Sequence, residues 1–241
     1  MNTEAALLER WLWITASLGI ATLASAVRWF LERPRVENGQ PRDKQPTILE
    51  NPWMIQPLRL LYAVGIPAAA FLWRGVLTTS GLGLQQFFWG DNQALDLAPG
   101  SWDNWVRDIG WTCALACGFW LIVVIADHTA KTRITRRRFD IALREAIYHQ
   151  AHWAFYREPF VLILGIGLGT WAGLIPVAAE ALVNPARWTD LQYPARGRDF
   201  LIRVGLAVLS ALLFIQTQNI WLAILADTGL VWLLGQTEEP A

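Results

Sequence analysis

Five stretches of this chain run nearly free of charge for the length of a bilayer crossing, and they restrict what it can fold into. Trp11 to Val27 is 17 residues without Asp, Glu, Lys, Arg or His, Ile109 to Ala126 is 18, Pro159 to Ala179 is 21 and Val204 to Ala226 is 23. Leu60 to Gly81 is interrupted only by Arg74. A helix rises 1.5 Å per residue, so about 20 apolar residues cross a hydrocarbon core of ~30 Å. The composition agrees: 54% of residues are hydrophobic, 15 are Trp and 17% are charged, against about 25% charged in soluble domains. The 20 basic and 20 acidic residues cancel, so no basic excess points to nucleic acid. The expected architecture is all-α: a polytopic membrane helical bundle of about seven embedded helices, within a range of about five to eight, with the lipid bilayer as its first partner.

The placement of charge orients the spans. Arg33, Arg35, Arg42 and Lys44 lie in the proline-punctuated loop 32–57, and Lys131, Arg133, Arg136, Arg137, Arg138 and Arg144 follow the third span. Cytoplasmic loops carry the excess of Lys and Arg. This puts 32–57 and 128–144 in the cytoplasm of a cell with the protein in its inner (plasma) membrane, and the N-terminus outside. Loop 82–108, with Trp89, Asp91, Asp96, Trp102, Asp103, Trp105 and Asp108, falls outside as an aromatic interfacial segment. Glu4, Glu9 and Arg10 precede the first span without a cleavage signature, so that span is expected to be retained. Loop 183–199, with Arg187, Arg196 and Arg198, also belongs in the cytoplasm. An even number of crossings must separate it from 128–144, so segment 140–158 is itself embedded and Pro159 to Ala179 crosses after it. Gln216-Thr217-Gln218-Asn219 breaks the last apolar run into two antiparallel helices, about 200–216 and 219–236. The chain thus divides into an N-terminal three-helix membrane region, 1–130, with long interfacial loops, and a C-terminal helical core, 131–241.

Smaller features fit that frame. Gly165-Ile-Gly167-Leu-Gly169 lies inside an apolar run, with neither strand before it nor Lys-Ser/Thr after it, and reads as small residues for close helix approach. Cys113 and Cys117, four apart, read as packing residues sharing a helix face rather than a redox pair. His128, Trp153, Tyr156 and Glu180 read as interfacial residues.

Segment 140–158 carries the chemistry. At ~100° per residue, Glu145, His149, His152 and Tyr156 occupy offsets 0, 4, 7 and 11 and share one helix face. Asp227 sits within the last helix, where a carboxylate costs about 2.5–3.5 kcal/mol to insert. Zinc takes neutral imidazoles and carboxylates in tetrahedral sets. His149, His152 and Asp227 supply three such ligands and Glu145 a general base for a metal-bound water. The same residues also suit a purely structural role, with the histidines bonded to carbonyls or to Glu145 and Asp227 paired with Arg203 or Arg144.

Arg144-Glu145-Ala-Ile-Tyr148-His149-Gln150 resembles the Glu-Glu-x-x-x-Arg motif of the CAAX-protease and bacteriocin-processing (CPBP) intramembrane metalloproteases. Thr217-Gln-Asn219-Ile-Trp221-Leu-Ala-Ile-Leu-Ala-Asp227 looks like that family's closing motif, in which Asn-Leu-Trp leads to an apolar run, a His and an Asn four residues later. The resemblance covers 140–236. The first motif acid is Arg144 here, the motif arginine is His149, the closing histidine is Asp227 and the asparagine after it is Val231. No histidine follows His152, so the family's Phe-x-x-x-His has no counterpart. What the resemblance implies is an intramembrane zinc-dependent endopeptidase acting on a peptide substrate, with Glu145 catalytic and His149, His152 and Asp227 standing in for lost ligands. The alternative keeps the fold without the chemistry, as a scaffold or accessory subunit packing against membrane-protein partners or pigments. Arg144 beside the site favours the alternative, because a cation there opposes a metal ion.

Overall fold

The computed structural model describes residues 3–32, 36–37, 40–41, 52–72, 77–78, 82–84, 99–130, 134–184, 188, 191 and 194–237. Arg74 and the Trp89 to Asp96 part of the interfacial loop lie outside the described residues. Helices dominate: α1 is Thr3–Glu32, α3 Pro99–Ala130, α4 Phe139–Ala172, α5 Leu174–Val183, α6 Pro194–Thr217 and α7 Ile220–Leu234. Between α1 and α3, α2 is built from Pro52–Leu60, a π-helical turn Leu61–Gly65 and Ile66–Leu72. Two short antiparallel pairings complete the described elements, β1 (Val36–Glu37) with β2 (Gln40–Pro41), and β3 (Ile134–Thr135) with β4 (Gln236–Thr237). Helix α2 starts earlier than the prolines of loop 32–57 led one to expect. Pro52 stands at its first position, where the missing N–H costs nothing, and Pro57 is accommodated inside it.

Among the described residues three helices are long and apolar enough to cross a membrane, within Leu7–Val27, Asn104–Thr129 and Arg196–Thr217, and the bent pair α4–α5 raises the number to four. The apolar side chains are distributed accordingly. Val106, Ile109, Trp111, Leu121, Ile122 and Ile125 stand exposed along α3, far more outward apolar surface than an aqueous protein tolerates. Cys113 and Cys117 share this outward face instead of packing inside.

Helix α4 is the centre of the molecule. His152 to Pro159 are buried without a break, as happens to a helix enclosed on all sides. Ala142 and Trp153 join Leu206, Leu213, Ala226 and Leu230 of α6 and α7 in one apolar cluster. Ala146, Ala154, Phe155 and Tyr156 join Ile14 of α1, Ala70 of α2 and Ile220 of α7 in another.

Pro159 to Ala179 does not form the single crossing expected of it. Gly165, with φ 77° and ψ 172°, interrupts α4, a conformation that only glycine adopts readily. Beyond it the chain returns along its own path. A Cβ at Gly169 would collide with Val161 and Phe160, and one at Gly173 would lie 2.6 Å from Arg157 Cα. His152 reaches Glu180. These pairs share one antiparallel register centred on Gly165, so 139–164 and the return through 166–172 and α5 form a helical hairpin. Glycines spaced by four, at 165, 169 and 173, provide the turn and then two notches that let the backbones approach.

The break between α6 and α7 falls in the polar quartet. Asn219 Oδ1 accepts from the backbone N–H of Trp221 at 2.9 Å and of Leu222 at 3.4 Å, capping α7, and Ile220 N–H donates to Gly83 O at 3.2 Å. Asn219 is completely buried. Asn219→Ala is therefore expected to lower stability by about 1 kcal/mol, read as a lower thermal midpoint in detergent, with Asn219→Asp retaining most of it. At the opposite end, Arg198 grips both carboxylate oxygens of Asp127 at 2.6 Å and donates to Leu234 O at 3.0 Å. Residues 127, 134–135, 198 and 234–237 therefore gather at one end of the bundle. Asp127 takes its partner from α6 while neighbouring His128 stays exposed.

Candidate functional site

The stripe on α4 is helical as expected, but its members turn to different partners. Glu145, 7% exposed in its side chain, receives a two-pronged ion pair from Arg59 of α2, with Nη1 to Oε1 at 2.8 Å and Nη2 to Oε2 at 2.7 Å. That geometry is the strongest a guanidinium and carboxylate can make, and it occupies both oxygens. The Arg59 guanidinium also lies 5.7 Å from the centre of the Tyr148 ring.

His149 faces α7. Its Nδ1 is 3.9 Å from Asp227 Oδ2, beyond a hydrogen bond, and its ring stacks on Trp153 at 5.2 Å and 7°. Asp227 is buried; Gln150 Nε2 donates to its Oδ2 at 3.4 Å and Ser210 Oγ donates to Gln150 Oε1 at 2.7 Å. His149 Nδ1 and Asp227 Oδ1 are buried with no hydrogen-bond partner among the described residues. Asp227 thus takes an amide donor with an imidazole beside it, and the Arg203 guanidinium acts on the same carboxylate through its charge.

His152 and Tyr156 face the hairpin's return arm and α1–α2. His152 Nε2 lies 3.0 Å from Glu180 Oε2, and Tyr156 OH donates to the same oxygen at 3.3 Å. Tyr156 OH is 3.2 Å from Tyr62 OH and 3.1 Å from Ser17 Oγ. Four helices are tied by this chain of hydroxyls, imidazole and carboxylate. Glu180 and Tyr156, read from sequence as interfacial, are central here: Tyr156 is fully buried, and the turn at Gly165 brings Glu180 back beside it. Trp153 is likewise buried. The π-helical turn of α2 contains Tyr62, in keeping with the frequency of such turns at functional sites.

Two residues beyond Tyr156, Glu158 Oε1 accepts from Thr78 N–H at 2.6 Å and Thr78 Oγ1 at 2.8 Å. Arg157 places its guanidinium 3.2 Å from the Phe214 ring centre. Sequence reasoning missed Arg59 and Tyr62 and placed Glu180 at the interface. Arg59 could have been flagged as a lone charge at the edge of an apolar run, and Glu180 as another.

The three proposed ligands, His149, His152 and Asp227, and the proposed base, Glu145, turn to separate partners. His149 and Asp227 approach each other, Glu145 is held by a cation and His152 is joined to Glu180. Among the described residues no group of three His, Cys, Asp or Glu side chains is arranged to hold a metal ion. These donors do not fit zinc as placed, because one ligand pair is insufficient and the nearby carboxylate is already neutralised by Arg59. A chamber of about 490 Å³ adjoins the stripe, with Arg59, Tyr62, His149, His152, Glu180 and Arg203 on its wall. Compared with known proteins, the chain matches no family model, no curated protein and no solved structure.

Proposed function

We propose that this is a polytopic inner-membrane protein whose seven embedded helices serve as a binding scaffold, an accessory subunit of a membrane complex, with the resemblance to CPBP proteases confined to its helical plan. The observation that carries the reading is the Arg59–Glu145 pair. The one acid retained from the resembling motif is clamped on both oxygens, whereas a general base needs a lone pair directed at its water. In this topology the basic segment 128–144 is cytoplasmic and the N-terminus outside. The gathering of residues 127, 134–135, 198 and 234–237 at one end supports it, since α3, α6 and α7 then all meet the cytoplasm there. The α4–α5 hairpin contributes two of the passages, and Gly83 beside Ile220 marks the outer end.

The competing reading, a zinc-dependent intramembrane endopeptidase, draws on the His149–Asp227 approach and its two unpartnered buried atoms. It requires Glu145 to leave Arg59 and His152 to leave Glu180. Metal analysis of protein purified in the presence of zinc separates the two. The scaffold reading expects zinc far below one ion per chain, unchanged in Glu145→Ala and Asp227→Ala. Stoichiometric zinc that both substitutions abolish would overturn it.

A further inference from the structure

The chamber beside the stripe has two unlike walls. From α2 and α4 come Arg59, Tyr62, Tyr148, His149 and His152; from α5 and α6 come Ala178, Ala181, Val204 and Val208, together with the charged Glu180 and Arg203. A volume of about 490 Å³ falls in the range of roughly 300–1,000 Å³ common to small-ligand sites.

The apolar wall stays partly uncovered. Val204 is 45% and Val208 37% exposed, and both belong to a helix apolar enough to cross a bilayer. In the proposed topology that helix borders hydrocarbon, and what reaches such a wall from hydrocarbon is an acyl chain. The polar wall presents positive charge. The Arg59 side chain is 40% exposed while the Glu145 carboxylate it holds is nearly covered, so the cation lies on the open side of the pair. A guanidinium has five N–H donors, of which Glu145 takes two. Arg203 adds a second guanidinium to the lining. The carboxylate of Glu180 is drawn toward α4, where its Oε2 accepts from both His152 and Tyr156.

We propose that the chamber binds a single-chain lipid with an anionic head, carboxylate or phosphate. The head meets Arg59 and Arg203 and the chain lies between α5 and α6. This rests on the reading of the protein as a binding subunit, yet the two fail separately: stoichiometric zinc would overturn that reading, whereas lipid labelling interrogates the chamber alone.

The test uses the full chain in phosphatidylcholine nanodiscs and photoactivatable probes of one chain length: a fatty acid, a lysophosphatidic acid and an uncharged monoacylglycerol. Saturable labelling of α5 and α6 peptides is expected from one or both acids, which tells carboxylate from phosphate, at a level roughly tenfold above monoacylglycerol. Unlabelled acid competes and inorganic phosphate does not. Arg203→Gln weakens apparent binding by roughly tenfold, and Ala181→Trp, which fills the chamber, abolishes the saturable component. Labelling spread without saturation over outward faces, equal labelling by monoacylglycerol, or full competition by inorganic phosphate would each overturn the proposal. If Ala181→Trp lowers the thermal midpoint, the decision passes to Arg203→Gln and the uncharged probe, which leave the apolar packing untouched.

Discussion

Replacing Gly173 by valine is expected to eliminate monodisperse protein from detergent extracts, while Gly167→Ala leaves yield and thermal midpoint unchanged. The Cβ added at 173 would lie 2.6 Å from Arg157 Cα and 2.9 Å from Arg157 Cβ. Those atoms belong to the neighbouring helix, so no side-chain rotation relieves the contact and the two arms must separate. Overpacking a filled core costs typically about 1–3 kcal/mol, and here separation would also pull Glu180 from His152 and Tyr156. Gly167 meets nothing within 4 Å, and a substitution of that kind stays within about 0.5 kcal/mol. Size-exclusion profiles and midpoints of the two variants make the comparison. A wild-type profile for Gly173→Val would mean that 157 and 173 are not packed as described.

The second large effect is expected at the Arg59–Glu145 pair. Arg59→Ala leaves a carboxylate that is 7% exposed without its counter-ion, a loss on the order of 3 kcal/mol when one partner of a buried pair is removed. Glu145→Gln, which keeps an acceptor for the guanidinium, loses about 1–2 kcal/mol. Converting both to methionine is expected to lose less than Arg59→Ala alone, because no covered carboxylate is then left without its counter-ion. Midpoints of the singles and the double form a cycle. Additive losses would show that the two residues do not depend on each other, and with that the clamp on Glu145 would lose its energetic meaning.

What could be read from the chain follows from which interactions are local. The helical character of α1, α3, α4 and α6 is written in continuous apolar runs, and the α6–α7 break in four polar residues whose last member, Asn219, is a natural helix cap. The stripe of Glu145, His149 and His152 was visible because helical spacing is local as well. Its meaning was not visible, since every partner is remote in sequence: Arg59 lies 86 positions from Glu145, Asp227 lies 77 from Gln150 and Glu180 lies 28 from His152. The place of the hairpin's turn escaped notice for a different reason. Three glycines in an apolar run fit a straight helix packed on a neighbour as well as they fit a helix packed on its own continuation. Extending the pattern to Gly173 was the available signal, since spacing by four from 165 through 173 places the notches on one face of the return arm. His149 and His152 turn to different carboxylates, Asp227 and Glu180, because a shared face of one helix does not oblige side chains to share a partner.

The turn at Gly165 also decides which parts of the chain answer to one another. Without the reversal, 166–183 would run on from 139–164, and Glu180 would lie far along the same axis instead of beside His152 and Tyr156. No neighbour lies within 4 Å of a Cβ at 165, so a side chain there offends only the backbone angle, and its damage is felt at a distance, in the buried chain of hydroxyls, imidazole and carboxylate that the reversal closes.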